Sequence, residues 1–168
     1  MQLPDSLAGR LLGWYAAGHR ALPWREDHEP YHVWLSEIML QQTRVEAVKG
    51  YYERFLSELP DIAALADCEE NRLTKLWEGL GYYSRARNLQ KAARIITGEY
   101  GGQLPADQKA LMALPGIGDY TAGAILSIAF GVPIPAVDGN VLRILSRFTG
   151  SDLDILCLLY TSPSPRDY

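Results

Sequence analysis

The sequence predicts an all-α protein, and three observations support that prediction. Apolar residues recur at helical spacing along nearly the whole chain, as Leu7, Leu11 and Tyr15 do near its start. No stretch alternates apolar and polar residues as a half-buried strand would. The helical segments are short, and brief linkers that contain glycine or proline separate them. This pattern is typical of short helices packed around one core.

The first half of the chain is expected to hold a helix, a loop and then further helices. Pro4 and Asp5 suit the start of the first helix, since proline fits the first turn and aspartate caps free N–H groups. A loop is expected over residues 21–30. The helices predicted after this loop cover residues 31–42 and 45–59, with two short ones that begin at Asp61 and Glu69.

In the second half, glycine-rich turns mark the boundaries. Gly79 and Gly81 interrupt the helical pattern, which resumes over residues 83–100. The next helix is expected to end near Leu114, where the Pro-Gly-Ile-Gly sequence of residues 115–118 predicts a tight turn. The last two helices are predicted over residues 119–130 and 138–148.

The composition excludes several classes of protein. The chain has 168 residues, of which 48% are hydrophobic and 21% charged, so it can bury a sizeable core. Its two cysteines, Cys68 and Cys157, are too few for a disulfide-rich scaffold or a four-thiolate metal site. The N-terminus lacks the features of a signal peptide, and prolines interrupt the most apolar stretch, residues 121–137. A soluble cytoplasmic protein without a membrane partner is expected.

The charge pattern leaves two interpretations open. The net charge of −4 gives no global attraction to nucleic acid. However, the acidic stretch of residues 58–70 is followed by residues 72–94, in which basic residues outnumber acidic ones. This basic run forms either one side of a polyanion site or a solvated helix face. His19, His28 and His32 lack the spacing of metal ligands, and we expect them to be solvated.

Glu37 and Asp138 are the candidate catalytic pair. Glu37 lies among large apolar residues on a predicted helix, where burial would raise its pKa, as a general acid at neutral pH requires. Asp138 directly precedes a predicted helix, where backbone N–H groups would keep it ionised and suited to stabilise a cationic transition state. Such carboxyl pairs cleave glycosidic bonds. The alternatives are a boundary glutamate and a simple helix N-cap.

Two glycine-containing segments are candidate nucleic-acid contacts. In the turn of residues 114–118, Gly116 and Gly118 precede a helix whose first amides could bind a phosphate, although a plain helical hairpin is the alternative. Residues 79–88 combine glycines, two tyrosines and two arginines. Aromatic rings can wedge between bases, and arginines can hold phosphates. Here a buried tyrosine pair with surface arginines is the alternative.

Together these segments resemble the helix-hairpin-helix DNA glycosylase superfamily and, within it, the adenine DNA glycosylases of the MutY type. The resemblance covers residues 7–147 and rests on five motifs in the order that this family shows: Leu22-Pro23-Trp24-Arg25, WLSEIMLQQT at 34–43, GLGYY at 79–83, the hairpin at 114–118 and VDGNV at 137–141. It implies base excision DNA repair, in which a monomer hydrolyses the N-glycosidic bond of adenine mispaired with 8-oxoguanine or guanine in double-stranded DNA. A nucleoid-associated location would follow.

The resemblance also implies roles for individual residues. Glu37 would protonate the adenine leaving group, and Asp138 would stabilise the sugar cation or its adduct. Gln42 and Tyr82 would wedge into the duplex as adenine is flipped out. The remaining implied residues are Tyr120 and Asn140 as supporting polar groups, Trp24, Arg25 and Leu40 in the adenine pocket, and Thr43, Arg85, Gly116 and Gly118 as DNA contacts.

Tyr120 separates two related activities. Endonuclease III-like enzymes, which the sequence resembles through the hairpin, place a lysine at this position, and its amine attacks the sugar and supports strand cleavage. A tyrosine cannot form a Schiff base, so the resemblance implies a monofunctional glycosylase. The alternatives are a non-catalytic helix-hairpin-helix DNA-binding fragment and an endonuclease III-like glycosylase and lyase.

The chain departs from this family at its C-terminal end. The family continues with four cysteines, spaced C-x6-C-x2-C-x5-C, that hold a [4Fe–4S] cluster, so we expect a cluster in a full-length parent and none in this chain alone. Residues 21–130 would form a six-helix domain, and residues 1–20 and 131–156 an incomplete second helical domain. Residues 157–168 resemble a translated sequencing adapter and are expected to be a non-native tail.

Overall fold

A computed structural model describes residues 5–150, which form α-helices and one short 3-10 turn, with no strand among them. The predicted all-α class is confirmed. The expected non-native tail and residues 151–156 of the expected second domain lie outside the described residues. The elements in chain order are α1 (Asp5–Gly18), the 3-10 turn (Pro23–Arg25), α2 (Pro30–Leu40), α3 (Val45–Glu58), α4 (Ile62–Asp67), α5 (Glu70–Trp77), α6 (Ser84–Glu99), α7 (Gln108–Met112), α8 (Asp119–Ala129) and α9 (Gly139–Thr149).

Local sequence explains where several helices begin. Pro30 occupies the first turn of α2, where a missing N–H costs nothing, and the Glu29 side chain accepts a hydrogen bond from the His32 N–H at 3.0 Å. The side chains of Asp61 and Asp107 cap α4 and α7 in the same way. The 3-10 turn lies within the expected loop of residues 21–30, and no pattern in the sequence indicated it.

Helices α2 and α8 lie at the centre of the core. Trp34, Leu35 and Met39 of α2 are completely buried, and residues 121–126 of α8 are buried without interruption. Helix α2 packs against α3, α6 and α8, while α4 packs on α6 and α7 on α8. A side chain that projects from α2 or α8 therefore starts from a backbone fixed by close packing on several sides.

The hairpin between α7 and α8 needs glycine for two physical reasons. Gly116 has a φ of +81°, in the region that L side chains rarely adopt. A Cβ on Gly116 would also lie 3.0 Å from the Cβ of Asn88, so the turn packs closely against α6. The predicted tight turn is therefore tied to the core as well as to its own helices.

Helices α1 and α9 flank the body formed by α2 to α8 and leave large apolar side chains exposed. Leu12 and Trp14 of α1 are 68% and 66% exposed, and Ile144 and Phe148 of α9 are 61% and 53% exposed. The linker before α9 is better anchored, because Val132 and Ile134 within it pack against the core. Within residues 5–150, no helix is both long and apolar enough to span a membrane.

Candidate active site

A cavity of about 740 Å³ lies where α2 and α8 meet the segments that precede α2 and α9. Ligand-binding sites for small organic groups commonly have volumes of this order. Six residues predicted from the sequence line it, and they come from four separate parts of the chain: Trp24, Arg25, Glu37, Leu40, Tyr120 and Asp138. The fold therefore brings the candidate catalytic pair and the candidate base pocket into one space.

Glu37 projects from the middle of α2 and is largely buried. Burial raises the pKa of its carboxyl, and the negative charge of Asp138 raises it further, whereas a hydrogen bond from Tyr120 acts in the opposite direction. The net direction is upward. A raised pKa is what a carboxylic acid needs if it is to donate a proton near neutral pH.

Tyr120 projects from the first turn of α8 and faces Glu37. Burial, followed by the charges of Glu37 and Asp138, raises the pKa of Tyr120 to about 12. Its hydroxyl therefore stays protonated at neutral pH and donates its hydrogen bond to the Glu37 carboxyl. This contact links Glu37 of α2 to the first turn of α8.

Asp138 caps α9 and also faces the cavity. One carboxylate oxygen accepts a hydrogen bond from the Val141 N–H at 2.8 Å, and the other accepts one from the Asn140 amide at 2.8 Å. The Asn140 carbonyl oxygen in turn accepts a hydrogen bond from Arg143 at 2.8 Å. The N-cap role left open from the sequence is thus present, and it orients the carboxylate that faces Glu37.

Aromatic side chains form another wall of the cavity. Trp24 is buried and packs edge-on against Tyr52, with ring centroids 5.5 Å apart. Two residues not identified from the sequence also line the cavity, Tyr15 of α1 and His19 directly after that helix, and their rings stack with centroids 4.8 Å apart. The guanidinium of Arg25 lies 5.5 Å from the Tyr15 ring centroid. The spacing of Tyr15 and His19 places them on one helix face, but nothing in the sequence shows what that face meets.

The histidines depart in part from the expectation that they are solvated. His32 is half-buried and pairs with the Asp27 carboxylate at 2.9 Å. His28 and His19 line the cavity beside Asp27. These groups add polar character to the rim of the cavity, next to Arg25.

Gln42 and Tyr82 lie on the exposed surface, outside the set of residues that line the cavity. Among residues 5–150, they are the two non-glycine residues with positive φ, at +58° and +48°. Such conformations are uncommon for residues with a Cβ and are found most often at functional sites. The Tyr82 side chain is 62% exposed, so its ring is available for contact with a partner.

The predicted DNA contacts divide into two groups. Gly118 occupies the N-cap position of α8, two residues after Gly116, and thus places free amides at the start of an eleven-residue helix. Arg85 departs from its predicted role, because it is buried and donates its hydrogen bonds to acceptors inside the protein. The Thr43 hydroxyl is one of those acceptors. A guanidinium held in this way does not fit the holding of phosphates.

The residues present do not fit a [4Fe–4S] cluster. The sequence has two cysteines, whereas such a cluster is held by four thiolates. Within the part of the chain that the structure describes, no group of three or more His, Cys, Asp or Glu residues is arranged to hold a metal ion.

Comparisons with known proteins identify the family of this chain and its fold. Residues 35–154 match the model of a family described as "HhH-GPD superfamily base excision DNA repair protein". The adenine DNA glycosylase of Homo sapiens is 47% identical over 148 residues, which cover 83% of this chain and 27% of that protein. The adenine DNA glycosylase of Buchnera aphidicola subsp. Baizongia pistaciae is 45% identical over 139 residues, which cover 82% of this chain and 40% of that protein. The chain thus spans well under half the length of these relatives.

Solved structures show the same architecture. A thermostable thymine-DNA glycosylase superposes with a TM-score of 0.80 at 29% identity, over 84% of this chain and 66% of that chain. A non-covalent complex of endonuclease III with DNA superposes with a TM-score of 0.76 at 24% identity, over 100% of this chain and 81% of that chain. The second likeness is one of fold alone.

Proposed function

Since the chain belongs to the HhH-GPD superfamily of base excision DNA repair proteins, we propose that it carries the catalytic residues of a monofunctional adenine DNA glycosylase. The family match confirms the resemblance drawn from the five sequence motifs. The observation that carries the proposed activity is the convergence of Glu37, Tyr120 and Asp138 on one cavity.

In the proposed reaction, the bond between the adenine nitrogen and the sugar C1′ breaks, and both of its electrons leave with the base. The Glu37 carboxyl donates a proton to the departing adenine, which makes the base a better leaving group. The Asp138 carboxylate stabilises the positive charge that develops on the sugar. A water molecule then adds to the sugar carbon and gives up a proton to the Glu37 carboxylate, which restores the acid and leaves an abasic site. Tyr120 holds the Glu37 carboxyl in place throughout.

The proposed base pocket is the rest of the cavity. Trp24 and Leu40 supply apolar surface for the flat face of a purine, and Arg25 supplies hydrogen-bond donors at the rim. The substrate would be adenine opposite 8-oxoguanine or guanine in duplex DNA, bound by one copy of the protein. Gln42 and Tyr82 would fill the space that the flipped adenine leaves, while the amides near Gly116 and Gly118 would bind the DNA backbone.

An endonuclease III-like lyase reaction is a weaker interpretation of the same fold. That reaction needs an amine nucleophile, and the side chain next to Glu37 is the Tyr120 hydroxyl. For the cofactor, we propose a [4Fe–4S] cluster only for a longer parent protein, with ligands outside this sequence. No step above depends on such a cluster.

The test is a single-turnover assay of the 168-residue chain on a duplex with one adenine opposite 8-oxoguanine. We expect abasic sites that are cut only after alkali treatment, and no protein–DNA adduct after borohydride. Efficient borohydride trapping would instead identify a lyase. Tight binding to the duplex without any excision would identify a DNA-binding module. Undamaged duplex of the same sequence is the control substrate.

A further inference from the structure

Arg85 connects the two segments that carry Gln42 and Tyr82. It projects from the first turn of α6, and only 9% of its surface is exposed. Its guanidinium donates hydrogen bonds to the end of α2 and the residues after it, and also to the loop between α5 and α6. The acceptors are the carbonyl oxygens of Ile38, Met39, Gln41, Leu80 and Gly81 and the hydroxyl of Thr43, at distances of 2.5–3.2 Å.

These acceptors bracket both positive-φ residues. Gln41 and Thr43 lie on either side of Gln42, and Gly81 directly precedes Tyr82. The Arg85 backbone N–H also donates to the Tyr82 carbonyl at 2.9 Å. The guanidinium carbon lies 5.5 Å from the centroid of the Tyr82 ring. One buried side chain thus restrains the backbone around both residues.

The geometry requires an arginine rather than any cation. The last carbonyls of a helix have no partner within the helix, and Ile38 and Met39 lie at the end of α2. Two terminal nitrogens of a planar guanidinium can serve acceptors on two separate segments at once, whereas a lysine ammonium has three donors at a single point. Replacing Arg85 by lysine would therefore leave several carbonyls unpaired.

We propose that Arg85 is a positioning residue for base extrusion. It holds Gln42 and Tyr82 in their uncommon conformations before DNA binds, so that both side chains are presented to the duplex without further ordering of the backbone. Because these loops are already ordered, less of the binding free energy is lost in ordering them, and more is available to offset the unstacking of the target base. The inference rests on the proposed function, in which Gln42 and Tyr82 enter the duplex.

The experiment compares Arg85→Lys with the unaltered chain on a duplex that carries 2-aminopurine in place of the target adenine, because the fluorescence of this base rises when it leaves the stack. Arg94→Lys is the matched control, since Arg94 lies on the same helix and donates to the Ala66 carbonyl at 3.0 Å, away from both loops. We expect the fraction of extruded base to fall about tenfold or more in Arg85→Lys and to stay unchanged in Arg94→Lys. Affinity for undamaged duplex should change less than about threefold.

A second substrate separates positioning from general damage to the fold. When the 2-aminopurine lies opposite an abasic site, it has no partner base and extrusion costs little free energy. The lower fraction of extruded base in Arg85→Lys should then largely return to that of the unaltered chain. An equal deficit on both substrates, or normal extrusion by Arg85→Lys on the paired duplex, would overturn the positioning role. If the unaltered chain extrudes the base from neither duplex, the proposed function itself fails.

A milder variant keeps the inference testable if Arg85→Lys does not fold. Thr43→Val removes one acceptor of Arg85 and leaves the backbone carbonyls in place. It should lower extrusion from the paired duplex by about threefold, in proportion to one lost hydrogen bond, and have little effect on the unpaired one. A Thr43→Val variant that extrudes the paired base normally would contradict the proposal.

Discussion

The body formed by α2 to α8 and the two flanking helices contribute to the cavity in different ways. The body supplies Glu37 and Tyr120 from central, closely packed helices. The flanking parts supply Tyr15 and Asp138, next to helices whose large apolar side chains remain exposed. One site thus combines Glu37, an acid fixed by the packing of the core, with Asp138, an anion whose position depends on the linker before α9.

The linker between α8 and α9 makes one close contact that explains how Asp138 is held. The Pro135 carbonyl oxygen approaches α8 so closely that a Cβ on Gly123 would lie 2.7 Å from it. Three residues further on, Asp138 is fixed to α9 through its own cap hydrogen bond. The position of the anion should therefore depend on this linker contact and on the start of α9, whereas the position of Glu37 is set by the packing of the body.

The largest effect is expected at the acid supplied by the body. Glu37→Gln removes the proposed proton donor but keeps the shape of the side chain, so excision should fall by about 10²- to 10⁴-fold. Folding and DNA binding should be retained. Single-turnover excision and a binding titration measure the two quantities. Glu99→Gln, on the exposed end of α6, is the matched control, and an equal loss of excision there would show that Glu37 has no special role.

The next effect tests the rigidity of the body. Leu126 of α8 is completely buried, and Leu126→Ala should lower the free energy of unfolding by about 2–5 kcal/mol through lost burial and a cavity. Urea denaturation followed by circular dichroism measures this change. A loss below about 1 kcal/mol would mean that α8 is packed more loosely than the structure shows.

The contact between the body and the linker gives the third effect. Gly123→Val would force the Pro135 carbonyl away from α8, so we expect a loss of about 1–3 kcal/mol in the free energy of unfolding and a clear fall in excision. Gly98→Ala is the control, because nothing lies within 4 Å of a Cβ there, and it should stabilise α6 by about 0.5–1 kcal/mol. Normal excision by Gly123→Val would mean that the contact between Gly123 and Pro135 does not determine the position of Asp138.

The sequence could predict features that depend on local signals but not those that depend on tertiary packing. The helices and the caps at Asp61 and Asp138 follow from local signals, and the boundaries differ from the predicted ones by a few residues. Arg85 was misjudged because a basic residue beside exposed tyrosines has the same local pattern whether it faces a phosphate or buried carbonyls. The Tyr15 contribution depends on tertiary packing of α1, which no local spacing encodes.

The pH dependence of stability is expected to come in part from Glu37. Burial raises its pKa in the folded chain above the value in the unfolded chain, so the folded state binds this proton more tightly. The stability that results is complete below the unfolded pKa and is lost as the pH rises through the folded pKa. Glu37→Gln should therefore gain stability relative to the unaltered chain as the pH rises above about 4.3, the ordinary pKa of a glutamate. Melting temperatures on both sides of this pH measure the difference, and a constant difference would contradict the raised pKa.

The smallest effect is expected on the outer face of α9. Ile144 is 61% exposed, so Ile144→Ala removes little buried surface, and alanine favours the helix. The free energy of unfolding should change by less than about 0.5 kcal/mol, in contrast to Leu126→Ala in the body. The same urea denaturation measures both. A loss above about 1 kcal/mol would break the comparison, because it would mean that the apolar face of α9 is covered in solution and that Asp138 is held more firmly than its exposed helix suggests.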